Sequence, residues 1–159
     1  MQQGQWEELC EAMLKTGKFI ESRTRPALLK RQDELGLSTL CVIEQHIVGH
    51  ITRWQTQIAD VEEVGSAFVV EKLQGKGLMR NMLETNLCEV SSSIMHFAFS
   101  DNPAFRKAAL GIGFRIVDAR FHQFDVSAWA HRLGIYQRLP SSIRCPTTPS
   151  EGQRCLFVR

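Results

Sequence analysis

The hydrophobic and polar positions change period several times along the chain, and each change marks an element. Trp6, Leu9, Cys10, Met13 and Leu14 recur at helical steps and predict an amphipathic helix over residues 5–17, stopped by Gly17. Ala27, Leu28, Leu29 and Leu35 predict a second helix over 24–35, with Pro26 in its first turn and Gly36 past its end. Three strands follow. The first spans 38–44 and carries Leu40, Val42 and Ile43; a turn at His46 leads to the second, 48–54, and the third covers 63–70. Consecutive strands with short connections make an antiparallel meander.

After Gly77 the period returns to helical. Leu78, Met82, Leu83, Leu87 and Val90 share one face, which predicts a helix over 77–91 broken by the serines at 91–93. Residues 94–99 read as a short apolar strand. Asp101 or Asn102 caps the next helix, with Pro103 at its first position and an end near Gly111 or Gly113. A strand over 114–121, a helix over 124–133, a Pro/Ser/Thr-rich loop over 140–153 and a last strand at 155–158 complete the chain. The order is two helices, a meander, then helix-strand-helix-strand, a further helix and a last strand. It predicts one α/β domain (an α+β mixed sheet with helices packed on it) over residues 1–159.

Composition narrows this picture. The 159 residues are 43% apolar and 23% charged, enough to bury a core without metals or disulfides. Apolar runs are too short for a membrane span, and the acidic N-terminus lacks the order of a signal peptide. The five cysteines form no CxxC and no zinc spacing, which predicts a reduced, cytoplasmic protein without a metal, with Cys41 and Cys88 as core thiols. A net charge of +2 gives no case for nucleic acid; the six arginines between Arg120 and Arg159 are spaced singly, as on a solvated face. His50 and His96 fall inside strands, where a structural role is expected.

Candidate chemistry gathers at the segment VVEKLQGKGLM, residues 69–79. Two glycines flank a lysine between a strand and a helix. A helix start has N–H groups without intrahelical partners and a positive dipole end, and glycine lets a phosphate approach closely. Taken alone, the segment is either such a cradle or a plain strand-to-helix corner. It is not a P-loop, because leucine follows Gly77 where GK[ST] is required. It is not a dinucleotide fingerprint either, because Arg80 stands where GxGxxG needs its third glycine.

Together with its preceding strand, this segment resembles the acyl-CoA-binding core of the GNAT N-acyltransferases, [Q/R]xxGx[G/A] at the head of a helix. Gln74, Gly75, Lys76, Gly77 and Leu78 supply the first five positions, and Met79 departs at the sixth. The run NPAFRKAALGIGF, residues 102–114, resembles that family's second signature, an asparagine with a closing Gly-Phe that ends twelve residues later.

The resemblance implies a GNAT-like fold and transfer of an acetyl or other short acyl group from acyl-CoA directly to a primary amine of a small molecule or peptide. It implies that the backbone of Phe68, Val69 and Val70 pairs with pantetheine amides. The N–H groups of Gln74, Gly75, Lys76, Gly77, Leu78, Met79 and Arg80 would hold the pyrophosphate, and Asn102 would contact pantetheine or orient its strand end. Glu63 occupies the position of a general base, with a strand-end or amine-binding carboxylate as the other reading and Asp60 and Glu62 as substitutes. Family members often carry a tyrosine as general acid where this chain has Ala109, so the acid is unassigned among a histidine, Ser100, water or unaided departure of the thiolate. The alternative is a catalytically weak or inactive acyl-CoA-binding module on the same fold. Neither the acceptor nor the choice between monomer and homodimer is legible, and no membrane or nucleic-acid partner is expected.

Overall fold

A computed structural model describes residues 1–56, 59–88, 90–100, 102–116 and 155–159. The chain forms two compact units, one of Met1–Trp54 with Val64–Val90 and one of Gln55–Glu63 with Ser91–Arg159.

The first unit opens with α1 (Gln3–Lys15) and α2 (Pro26–Glu34), with a single 3-10 turn at Glu21–Arg23 between them. The periodic face of α1 is buried through Trp6, Leu9, Cys10 and Met13. These join Leu29, Ile47, Trp54 and Phe68 in one hydrophobic cluster. Full burial of a side chain of this size stabilises by about 1.5–3 kcal/mol, so this cluster contributes substantially to the unit's cohesion. Leu35, expected as a contact of the second helix, is exposed, because the helix ends at Glu34 and Leu35 falls in the following turn.

Strands β1 (Ser38–Ile43) and β2 (His46–Gln55) pair antiparallel, with Ile43 opposite His46. Glu44 and Gln45 both have positive φ, the backbone of a tight two-residue hairpin turn. Helix α1 braces that turn: the Gln5 side chain donates to the Gln45 carbonyl, and His46 Nδ1 lies 2.9 Å from Glu8 Oε2. His46 therefore begins β2 rather than lying in the turn.

Strand β3 (Val61–Val69) is next to β2, and α3 (Leu78–Cys88) follows it after a 3-10 turn at Glu71–Leu73. Helix α3 buries Met82, Leu83 and Leu87 as the pattern predicts. Asn86 shares that buried face, its Nδ2 donating to the Leu37 carbonyl and to Thr39 Oγ1, both at 3.1 Å. Cys88 corrects an expectation. It is exposed rather than a core thiol, because it lies one helical step beyond Leu87 and off the buried face. Cys41 is half-buried, and among the described residues the deeply buried thiol is Cys10, which desolvation pushes up to about 11.

In the second unit the first residues of β3 run parallel to β4 (Met95–Ser100), with Val61 opposite Met95 and Glu63 opposite Phe97. Strand β6 (Cys155–Val158) pairs antiparallel with both β4 and β5 (Arg115–Ile116). Helix α4 (Pro103–Gly111) buries Phe105, Ala108 and Ala109. Parallel and antiparallel pairs with helices in the connections make the expected mixed α/β arrangement. The remainder of the strand predicted to 121, the helix at 124–133, the loop at 140–153 and the alternative cap Asp101 lie outside the described residues. So do His122, Trp129, His131, Tyr136 and every arginine of the basic tail except Arg159.

Candidate functional site

The first unit carries the turn of residues 74–80. Gln74 is extended, and its side-chain amide donates back to the Val69 carbonyl at 2.9 Å, tying the loop to the strand it leaves. Gly75 and Gly77 have φ of +76° and +79°, in the left-handed region that favours glycine. A Cβ at either position would meet nothing within 4 Å, so the glycines are required by backbone conformation and not by crowding. The Gly77 carbonyl accepts the first helical hydrogen bond, from Asn81 N–H at 3.1 Å.

Among the described residues, no backbone carbonyl accepts from the N–H groups of residues 75–80. Gly75, Lys76 and Gly77 are exposed, so these donors open to solvent at the positive end of α3. Lys76 adds charge beside them. Arg80 points down the helix, its Nε 2.8 Å from Glu84 Oε1 in an exposed pair. Met79, the departure from the expected motif, lies in the first turn of α3 without a positive φ. Its half-buried side chain leaves its N–H in the row.

Strand β3 feeds this turn. Val70 N–H donates to the Val48 carbonyl at 2.9 Å, and Phe68 and Val69 are buried. The register of β3 with β4 ends at Glu63. One feature escaped the sequence reading: Ser66, in the middle of β3, has φ +51°. The small residues Gly65, Ser66 and Ala67 inside an apolar run are the signal that could have revealed it, since glycine within a strand pattern marks a bulge.

The second unit carries the acidic residues. Glu62 and Glu63, consecutive in the paired part of β3, are buried, at 8% and 4% exposure. Asp60 alone of the three candidate acids is exposed. His96, opposite Glu62 on β4, is buried with its Nε2 3.5 Å from Glu62 Oε2, so it has the structural setting expected of it.

The same unit holds Asn102. Its Oδ1 accepts from the N–H groups of Ala104 and Phe105, at 2.9 and 3.4 Å, and its own N–H donates to Ser100 Oγ at 3.1 Å. Asn102 is thus the cap of α4, with Pro103 at the first helical position. Ala109 is fully buried on that helix. Thus Phe68, Val69, Val70 and residues 74–80 come together in one unit, and Glu63 and Asn102 belong to the other.

No protein-family model matches the chain, and no curated protein sequence matches it significantly. Solved structures do. A GNAT-family acetyltransferase from Staphylococcus aureus Mu50 aligns with a TM-score of 0.61 at 15% identity, over 100% of this chain and 94% of that one. A diaminobutyrate acetyltransferase from Paenibacillus lautus, solved with L-2,4-diaminobutyric acid and coenzyme A, aligns at 0.62 and 15%, over 99% and 89%. A ribosomal-protein-alanine N-acetyltransferase from Brucella melitensis aligns at 0.61 and 11%, over 100% and 96%. At these identities the likeness is one of architecture, and it establishes that the chain has the fold of the GNAT acetyltransferases.

Proposed function

We propose that the protein is an acyl-CoA-dependent N-acyltransferase that moves an acetyl or other short acyl group directly to a primary amine of a small molecule or peptide. The observation that carries this reading is the start of α3. Gly75 and Gly77 hold a turn in which, among the described residues, the N–H groups of residues 75–80 have no carbonyl partner, beside Lys76. Such a row of donors at a positive helix end matches a pyrophosphate. The residues therefore fit the anionic part of acyl-CoA, and the likeness to CoA-bound acetyltransferases supports the same ligand. The later residues of β3, beyond its register with β4, offer strand backbone to the pantetheine amides.

Acyl-CoA supplies an activated thioester. The protein's part is to hold it and to manage the amine's proton, since only the neutral amine is a nucleophile. Glu63 is the proton acceptor in this reading, and its buried place in β3 suits a carboxylate kept from bulk water. A second reading, an acyl-CoA-binding module without turnover, is favoured by Ala109. This fully buried methyl group brings no proton donor to the position where a tyrosine is common.

Calorimetric titration with CoA and turnover of acetyl-CoA against a panel of amines test both readings. Binding with turnover is expected. Binding without turnover of any amine selects the second reading, and absence of binding overturns both. Glu63→Gln is expected to lower kcat by about 10²–10⁴-fold and to remove one ionisation from the pH–rate profile. An unchanged profile removes Glu63 from that role.

A further inference from the structure

One residue of strand β3 has a positive φ. Residues 61–64 are buried, as are Phe68 and Val69, whereas Gly65, Ser66 and Ala67 are only half-buried. Ser66 has φ +51°, a conformation that non-glycine residues rarely adopt. A left-handed residue inside a strand departs from the regular ladder geometry, and its half-buried carbonyl still needs a donor. The donor is His50 on β2, whose Nδ1 lies 3.0 Å from the Ser66 carbonyl oxygen.

His50 is completely buried. A carbonyl oxygen can only accept, so Nδ1 carries the proton and Nε2 is left as an acceptor. Nε2 faces Ser38 Oγ on β1 at 3.4 Å. The ring stands edge-on to Trp6 of α1, with centroids 6.3 Å apart. Groups from α1, β1 and β3 therefore fix one imidazole on β2. Packing alone would be served by an apolar residue. A buried polar ring whose donor goes to a strand carbonyl is explained by the bend that this carbonyl requires.

The bend lies directly before the candidate cradle. Past Ser66 the strand is fixed to β2 where Val70 N–H reaches the Val48 carbonyl, and the loop is fixed to the strand where the Gln74 amide reaches the Val69 carbonyl. We propose that His50 is a positioning residue for acyl-CoA: by holding Ser66 in its left-handed conformation, it sets where the backbone of residues 68–70 and the donors of residues 74–80 stand. This inference rests on the acyl-CoA reading above and adds a residue with a defined atom and partner.

The test uses His50→Asn, His50→Gln and His50→Leu in the full chain. The Asn amide nitrogen stands near the place of Nδ1 and can reach Ser66, whereas the Gln amide nitrogen stands near the place of Nε2, toward Ser38. Amide hydrogen exchange of residues 66–70 reads the bend, and titration with CoA and the KM for acetyl-CoA read the cradle. In His50→Gln and His50→Leu, exchange is expected to quicken about tenfold, with the CoA Kd and acetyl-CoA KM rising about tenfold and kcat changing less. His50→Asn is expected to restore each to within about twofold.

Wild-type exchange and Kd in His50→Gln overturn the assignment. So does a His50→Asn variant as impaired as His50→Gln, which would make ring volume the cause. Quickened exchange with an unchanged Kd also overturns it. If His50→Leu does not fold, the contrast between the two amide variants decides. Absence of CoA binding by the wild-type protein overturns the acyl-CoA reading, and with it the link to the ligand. The exchange contrast separately supports or overturns the bond from His50 to Ser66.

Discussion

Two of the described helices follow a strand, and their first turns are completed in opposite ways. At α4 the chain supplies its own partners. Asn102 Oδ1 accepts from Ala104 and Phe105, and Pro103 contributes no N–H at all. At α3 the preceding residue is Gly77, which has no side chain, and among the described residues the N–H groups of residues 75–80 have no carbonyl acceptor. A closed start needs nothing more than the helix it begins. An open start leaves donors in solvent at a positive helix end, where an anion gains most. The difference explains why the asparagine of one signature is legible as architecture, whereas the glycines of the other are legible as a place for a ligand.

The comparison breaks most readily at the glycines. Gly75→Val with Gly77→Val forces β-branched side chains into left-handed backbone and is expected to destabilise the fold by about 1–2 kcal/mol per site. In calorimetric titration CoA affinity should fall by about 100-fold or more, since the donors no longer converge. Because a Cβ at Gly77 meets open space, Gly77→Asn, which tolerates positive φ, should keep most of the affinity. Equal losses for Asn and Val would show that space, not conformation, selects glycine there.

Acid should act next, through the strand that leads to the open start. Burial lowers the His50 pKa from 6.5 to about 4. As pH falls below 6.5 the unfolded chain takes up a proton that the folded chain refuses until about pH 4. Stability contributed by neutral His50 is therefore complete above pH 6.5 and lost on the way down to about pH 4. The steepest slope this one group supplies is about 1.4 kcal/mol per pH unit. Urea unfolding across this window should show the slope in the wild-type protein and lose that component in His50→Asn.

The smallest effect is expected at the closed start. Asn102→Ala removes a cap worth about 1 kcal/mol, a fall of roughly 2–4 °C in Tm for a chain of this size. Asn102→Asp also caps and should keep the wild-type Tm. CoA affinity should stay within about twofold in both. A larger loss in Asn102→Asp, with Tm unchanged, would place Asn102 against the ligand and remove the contrast between the two starts.

Much of this architecture can be read from the chain in order. The apolar period of α1 marks Trp6, Leu9, Cys10 and Met13 as its buried face, and the Asn-Pro pair marks the first turn of α4. Local rules fail where a neighbour decides. Cys88 shares the apolar composition of its helix, but its angle around the axis exposes it. Asn86 looks like a surface residue, yet Leu37 and Thr39 give it partners inside. Glu63 can be read as a strand-end carboxylate with Glu62 as its substitute, but the fold buries both.

The sequence by itself determined the order of helices and strands among the described residues, the glycine turn before α3 and the Asn-Pro start of α4, because each depends on residues within a few positions of one another. Only the tertiary structure decided that Ser66 bends β3 and that His50 holds the bend. That bond joins residues sixteen positions apart on two strands, and the imidazole that makes it is also met by Ser38 of β1 and Trp6 of α1. The open donors of α3 follow the same division. Glycine at 75 and 77 permits the turn, and the fixed strand before it decides where the turn stands.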